Sequence, residues 1–230
     1  MPPRVRTWIP GFDEALGGGL PDGCVAAFMG GPTAVHELFA RQLLYLHVVK
    51  GGRAAYISAR RPASDVQREM EAYGLAVGDA VRDGRWVFVE ALTRSAREEL
   101  LGIARSRIKE GRWVLIDSLS YLASLGIYRL EVEDAATQKP LSSLLKGLLK
   151  ASREHGGVHS VLVTRGLMDP RSEVLVEDLV DYVLDFTHGV APGRVTHQLL
   201  IKKASAPVST PVLNFKLTGE GIAVETVTRI

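Results

Sequence analysis

Five short apolar runs recur along this chain with no polar alternation inside them: Cys24–Met29 (CVAAFM), Ala54–Ser58 (AAYIS), Trp86–Val89 (WVFV), Trp113–Ile116 (WVLI) and Val161–Thr164 (VLVT). Runs this short, bounded by glycine and proline turns, read as strands covered on both faces. Between them lie segments with apolar residues at helical spacing. These run from Thr33 to about Lys50, Ala63 to Tyr73, Thr93 to Lys109 and about Lys139 to Glu154. Strands alternating with helices must connect in parallel, because a crossover helix returns the chain to the same sheet edge. Beyond Tyr182 the pattern holds strands alone: Tyr182–Phe186, Val195–Lys202, Leu213–Leu217 and Ile222–Val227. The expected fold is therefore α/β. A mostly parallel central sheet is flanked by helices and closed by a C-terminal antiparallel flap, in one domain over residues 1–230.

Composition narrows the function classes. The chain has 230 residues, 46% of them hydrophobic, and 28 Lys and Arg against 26 Asp and Glu. That supports one sizeable core and excludes both a disordered chain and a strongly nucleic-acid-seeking one. No apolar run is long enough to span a bilayer, and Met1–Arg6 lacks a signal-peptide core, so a cytoplasmic protein with no membrane partner is expected. The single cysteine, Cys24, opens an apolar run, which suits a buried inert thiol and rules out a disulfide framework. The six histidines show no metal-ligand spacing. Arg94, Arg97, Arg105, Arg107, Lys109 and Arg112 are interleaved with Glu98, Glu99 and Glu110, as on a solvated helix face.

The stretch Met29–Ala40 (MGGPTAVHELFA) joins the first strand to the first long helix, where a nucleotide-binding protein would carry its phosphate loop. Read by itself it is an ordinary strand-to-helix turn, with Pro32 or Thr33 near the helix start. The preceding residues Arg4–Gly23 (RVRTWIPGFDEALGGGLPDG) resemble the opening of the KaiC-like branch of the RecA/RadA ATPase superfamily, "T-G-I-P-G-L-D-x-x-L-G-G-G-[IL]-P-x-G". The similarity continues through Ala55–Ser58 (AYIS), Val114–Ser120 (VLIDSLS) and Val176–Asp181 (VEDLVD), and so covers the chain as a single copy of the domain. The resemblance implies a RecA-like P-loop NTPase fold, an ATP and magnesium site, and self-association.

In that register the loop G-x-x-x-x-G-K-[ST] falls on Gly30–Glu37. Gly30 is kept, with Gly31 beside it, but Val35, His36 and Glu37 stand where the second glycine, the lysine and the hydroxyl belong. A β-branched valine resists positive φ, a neutral histidine is no permanent cation, and a glutamate adds negative charge beside a polyphosphate. An acid in the first helical turn is favourable, by ~0.3–1 kcal/mol, so Glu37 can replace the anion that a helix N-terminus attracts. The family's water-activating acid after the second strand aligns with Arg60-Arg61, and arginine accepts no proton. Its trans-acting K-M-R segment aligns with Lys203-Ala204-Ser205, which keeps the lysine only. Asp117 and Ser118 stand where the Walker-B-type aspartate and its neighbour belong. Arg60 and Arg61 can either pair with Glu37 and Asp117 or hold an anion.

The resemblance so read implies a catalytically degenerate pseudo-ATPase with no catalytic residue, no cofactor and no metal, serving as a regulatory or protein-interaction module. Self-association or a mixed assembly with an active paralogue is expected, with Lys203 available to a neighbour's site. One alternative is an ATP sensor or ATPase with a rewired site, in which His36, Arg60 and Arg61 supply the positive charge. Another is an accessory factor in DNA recombination or repair. The loops that would face DNA, Gly126–Ala136 and Gly166–Glu173, are short of lysine and hold several acids.

Overall fold

The computed structural model describes residues 2–130, 139–191, 194–208, 211–219 and 221–225. Its centre is one large sheet, whose strands are numbered here along the chain. They are β1 (Cys24–Gly30), β2 (Ala54–Ser58), β3 (Trp86–Glu90), β4 (Trp113–Asp117), β5 (Val158–Thr164), β6 (Tyr182–Ala191), β7 (Arg194–Lys203), β8 (Val212–Thr218) and β9 (Gly221–Glu225). The spatial order is β9-β8-β7-β6-β1-β5-β4-β2-β3. β6 runs parallel to β1, and β7 to β9 continue antiparallel from it, so the C-terminal strands extend the central sheet itself.

Alternate residues of each buried strand feed two separate cores, as the two-residue period of a strand requires. Ala26 and Phe28 face the helices His36–Val49 and Ala63–Ala72, whereas Val25, Ala27 and Met29 face Leu100–Lys109 and Leu141–His155. Both faces of β1 are covered, and all seven of its residues are buried. No helix among the described residues is long and apolar enough to cross a membrane.

Several boundaries differ from the sequence reading, each for a local reason. The first long helix begins at His36 rather than Thr33, because Val35 adopts a left-handed backbone just before it. The segment Thr93–Lys109 breaks at Glu99 into Arg94–Glu98 and Leu100–Lys109. Leu119–Ser124 and Pro170–Leu179 are helices that lack a long apolar period. They are started instead by caps, Ser118 accepting from the Tyr121 N–H and Asp169 accepting from the Ser172 N–H. The second of these takes up part of the Gly166–Glu173 loop, while the Gly126–Ala136 loop lies outside the described residues from position 131, as does the predicted end of the last strand at Val227.

The glycine-rich opening has a packing reason. Arg4–Val5 pairs with Leu20–Pro21, and a side chain on Gly19 would meet the Val5 carbonyl oxygen at 2.2 Å. Gly19 also has a φ of 110°, which L-residues avoid.

Candidate functional site

The C-terminal ends of β1, β2 and β4 converge at one edge of the fold, the place where open α/β sheets bind ligands. β1 delivers Gly30, whose carbonyl accepts from the Arg165 N–H at 2.9 Å, and the loop turns with the Ala34 N–H donating to the Gly31 carbonyl at 3.0 Å. Val35 then takes φ 55° and ψ 17°. Against the expectation from its β-branching, valine here occupies the left-handed conformation that a glycine would fill. Strain of roughly 1–2 kcal/mol follows from the contact of Cβ with the backbone. Such a conformation persists only where neighbouring structure dictates it.

His36 is 2% exposed and turns its ring back into the loop. A Cβ on Gly30 would lie 2.8 Å from His36 Nδ1, so only glycine allows the imidazole to sit there. The ring lies 6.5 Å from Phe186, and neither ring nitrogen has a hydrogen-bond partner among the described residues. Burial, reinforced by Arg60 and Arg41 and opposed by Asp117, pushes the imidazole down to about 4, so it is neutral at pH 7. Gly31, by contrast, faces open space.

Beside this loop three arginines and three carboxylates interlock. Arg41 reaches Glu37 at 3.1 Å, Glu69 at 3.0 Å and Asp117 at 3.4 Å. Arg60 reaches Glu37 at 2.7 Å and Asp117 at 3.4 Å, and Arg61 reaches Glu69 at 2.8 Å and Glu37 at 3.6 Å. Two guanidinium groups thus bridge the same pair of carboxylates, Glu37 and Asp117. The Tyr56 hydroxyl donates to Asp117 and accepts from Arg41 Nε at 3.1 Å. Burial and the Asp117 charge hold the Tyr56 hydroxyl protonated, well above its ordinary range. Burial opposes the charge on Arg41, but Tyr56, Asp117, Glu69 and Glu37 outweigh it and raise its pKa. Asp117 is fully buried, so its partners must be internal.

Gly30, His36, Glu37, Arg60, Arg61 and Asp117 therefore share one site. Ser118 is buried beside it but serves as the cap of Leu119–Ser124 and contacts Ser120 at 3.3 Å. Lys203 lies elsewhere in this chain. Its ammonium donates to the Glu177 carbonyl at 3.0 Å and to the Asp178 carbonyl, at the C-terminal end of the helix Pro170–Leu179. Arg41, Tyr56 and Glu69 were not singled out from the sequence. The spacing of Glu37 and Arg41, four apart on a helix, was the one available signal. Tyr56 and Glu69 carry no such signal.

A protein-family model described as a family of unknown function (DUF7125) matches residues 4–230. The chain belongs to that family. This DUF7125 chain is also similar to the UPF0273 protein MK0039 of Methanopyrus kandleri, with 24% identity over 96% of this chain and 92% of the relative. It is 31% identical to the UPF0273 protein PAE3143 of Pyrobaculum aerophilum over 40% of this chain, and there the match spans 32% of the relative's length. The circadian clock protein KaiC3 of Synechocystis is 26% identical over 79% of this chain and 36% of its own. Among solved structures, the KaiC-like protein PH0186 of Pyrococcus horikoshii superposes with a TM-score of 0.79 at 23% identity, covering 98% of this chain and 100% of that one. The flagellar accessory protein FlaH of Methanocaldococcus jannaschii gives 0.79 at 13% identity, covering 97% and 99%. The fold is that of the KaiC-like branch of RecA/RadA-type proteins.

Proposed function

We propose that this DUF7125 protein is a KaiC-like, RecA-fold protein that hydrolyses no ATP and acts as a regulatory or protein-interaction module. The observation carrying this reading is the double bridge of Arg41 and Arg60 between Glu37 and Asp117. A magnesium ion serving a triphosphate would have to sit near those two carboxylates, and two guanidinium groups already neutralise them there. The residues present do not fit magnesium and a polyphosphate. The loop from Gly30 to Glu37 offers no lysine and puts a carboxylate in its helix's first turn, and the His36 ring fills the space beside Gly30. The position where the family's water-activating acid aligns holds Arg60 and Arg61 after β2, and arginine accepts no proton.

The role left to such a domain is recognition by its surface. Self-association, or assembly with an active KaiC-like paralogue in the cytoplasm, is the arrangement we favour. In such an assembly Lys203 would first have to leave the helix carbonyls that hold it. Calorimetric titration with ATP and ADP, with and without magnesium, tests the reading together with a turnover assay. No heat and no phosphate release are expected. Magnesium-dependent turnover that disappears in Asp117→Ala would overturn it.

One observation favours a second reading. Arg60 and Arg61 keep 32% and 30% of their side chains exposed at the mouth of the site, within reach of an incoming anion. Saturable nucleotide binding abolished by Arg60→Ala would make the protein a sensor with a rebuilt site. A role in recombination would need single-stranded DNA affinity that falls steeply with salt, measured in the same preparation.

A further inference from the structure

The loop carries a contradiction between its backbone and its side chains. Its side chains are wrong for phosphate, yet its backbone keeps a glycine at the strand end and a left-handed residue before the helix, two features such a loop needs. β1 ends in a glycine, a tight turn follows, and the residue before the helix holds a left-handed conformation. That conformation is the informative part. Valine has no intrinsic reason to adopt φ 55°, and a loop free to relax would place it elsewhere. Anchors on both sides explain its persistence: the Arg165 N–H on the Gly30 carbonyl, Ala34 on Gly31, and the fourteen-residue helix pinned by Phe39, Leu43 and Leu44 in the core.

Into this cradle the chain inserts its own group. The His36 side chain is fully buried at the start of that helix, both of its ring nitrogens lack partners, and it lies where a Gly30 side chain would be. An orphaned, buried polar ring is costly unless the position demands it. Glu37 on the next residue ties down Arg41 and Arg60. Backbone and plug are thus separate layers.

We infer that the phosphate cradle of this chain is conformationally intact and closed only by its own side chains, His36 as the plug and Glu37 as its electrostatic latch. The inference rests on the non-hydrolysing reading above and specifies how the site is blocked. Removing the plug and latch restores affinity for a polyphosphate. Because Arg41 and Arg60 already stand beside Asp117, that affinity needs no magnesium.

The probes are inorganic pyrophosphate and ADP, each titrated by calorimetry with and without magnesium, with thermal unfolding followed in parallel. The wild-type chain, the triple variant V35G/H36K/E37T and the double variant H36A/E37Q are compared. The triple variant writes the full loop pattern onto the existing backbone, and the double variant removes the obstruction without adding a cation. The expected result is pyrophosphate affinity raised about 100-fold in the triple variant and about 10-fold in the double variant, equivalent to ~2.7 and ~1.4 kcal/mol. Binding should be unchanged by chelation of magnesium. Folded variants that bind no pyrophosphate at low millimolar concentration would overturn the inference, since the cradle would then be absent. If the triple variant fails to fold, the double variant decides. Pyrophosphate or ADP binding by the wild-type chain would overturn the plug, since the cradle would then be open already, whereas ATP turnover by the wild-type chain is a different failure, which sinks the non-hydrolysing reading.

Discussion

Replacing Arg41 by methionine tests the ion-pair cluster most directly. The side chain is 1% exposed and faces Asp117, which is fully buried, at 3.4 Å. Methionine preserves most of the packing volume while removing the charge. Asp117 would then keep the Tyr56 hydroxyl and the more distant contact of Arg60, which is itself held at 2.7 Å by Glu37. Breaking a buried pair by removing one partner costs about 3–5 kcal/mol. Arg60 compensates in part, so the low end, about 3 kcal/mol, is the expected loss for Arg41→Met. Adding Asp117→Asn removes the stranded charge, and the double variant should recover about 1–2 kcal/mol of that loss. Urea unfolding at neutral pH reads both values, with the slope unchanged if only stability has moved. A loss below about 1 kcal/mol for Arg41→Met, or a double variant less stable than the single one, would refute a cluster in which Asp117 depends on Arg41.

Other outcomes follow from the same geometry. Val35→Gly releases roughly 1–2 kcal/mol of left-handed strain against roughly 0.5–1 kcal/mol of added glycine flexibility, so a small rise in melting temperature is expected, and a fall would mean that the valine packing matters more. His36, His47 and His159 are each pushed down by burial to about 4 from 6.5. The unfolded chain binds more protons than the folded one between these values. Their stabilisation is therefore complete above pH 6.5 and lost as pH falls towards 4, by up to about 3 kcal/mol for each of the buried His36 and His159 and by less for His47, which solvent screens in part. Urea midpoints that stay flat between pH 7 and pH 5 would contradict this. Gly19→Ala should detach the Arg4–Val5 strand, seen as faster proteolysis near the N-terminus, because its new Cβ would collide with the Val5 carbonyl. Lys203→Ala should cost about 0.5–1 kcal/mol through the uncapped end of the helix Pro170–Leu179, and its effect should be equal at any protein concentration if the lysine serves its own chain.

Much of this architecture is written in local pattern. Apolar runs such as CVAAFM and WVLI announce strands buried on both faces, because a two-residue period with no polar alternation leaves no side for water. The same local reading placed Asp117 at a strand end, and the resemblance to the KaiC-like branch set glutamate and histidine where a phosphate loop needs a hydroxyl and a lysine. Four described helices escaped it: Phe12–Ala15 and Gly78–Arg82 are too short to show an apolar period, and Leu119–Ser124 and Pro170–Leu179 are started by caps rather than by a long apolar stripe.

What no local pattern could supply is which charges meet. Arg41 and Asp117 are 76 residues apart in the chain, and Arg60 and Asp117 are 57 apart. They face one another because β2 and β4 are neighbours in the sheet, with Ser58 in register with Asp117, and because the helix after β1 lays Glu37 and Arg41 across their ends. The left-handed turn at Val35 belongs to the same class. Intrinsic preference argues against it, and anchors at both ends of the loop impose it. Sequence determined the elements and the chemical types at the strand ends. Tertiary structure decided that these charges would satisfy one another and that His36 would turn inward, since partner choice depends on strand order and burial, which a one-dimensional period does not carry.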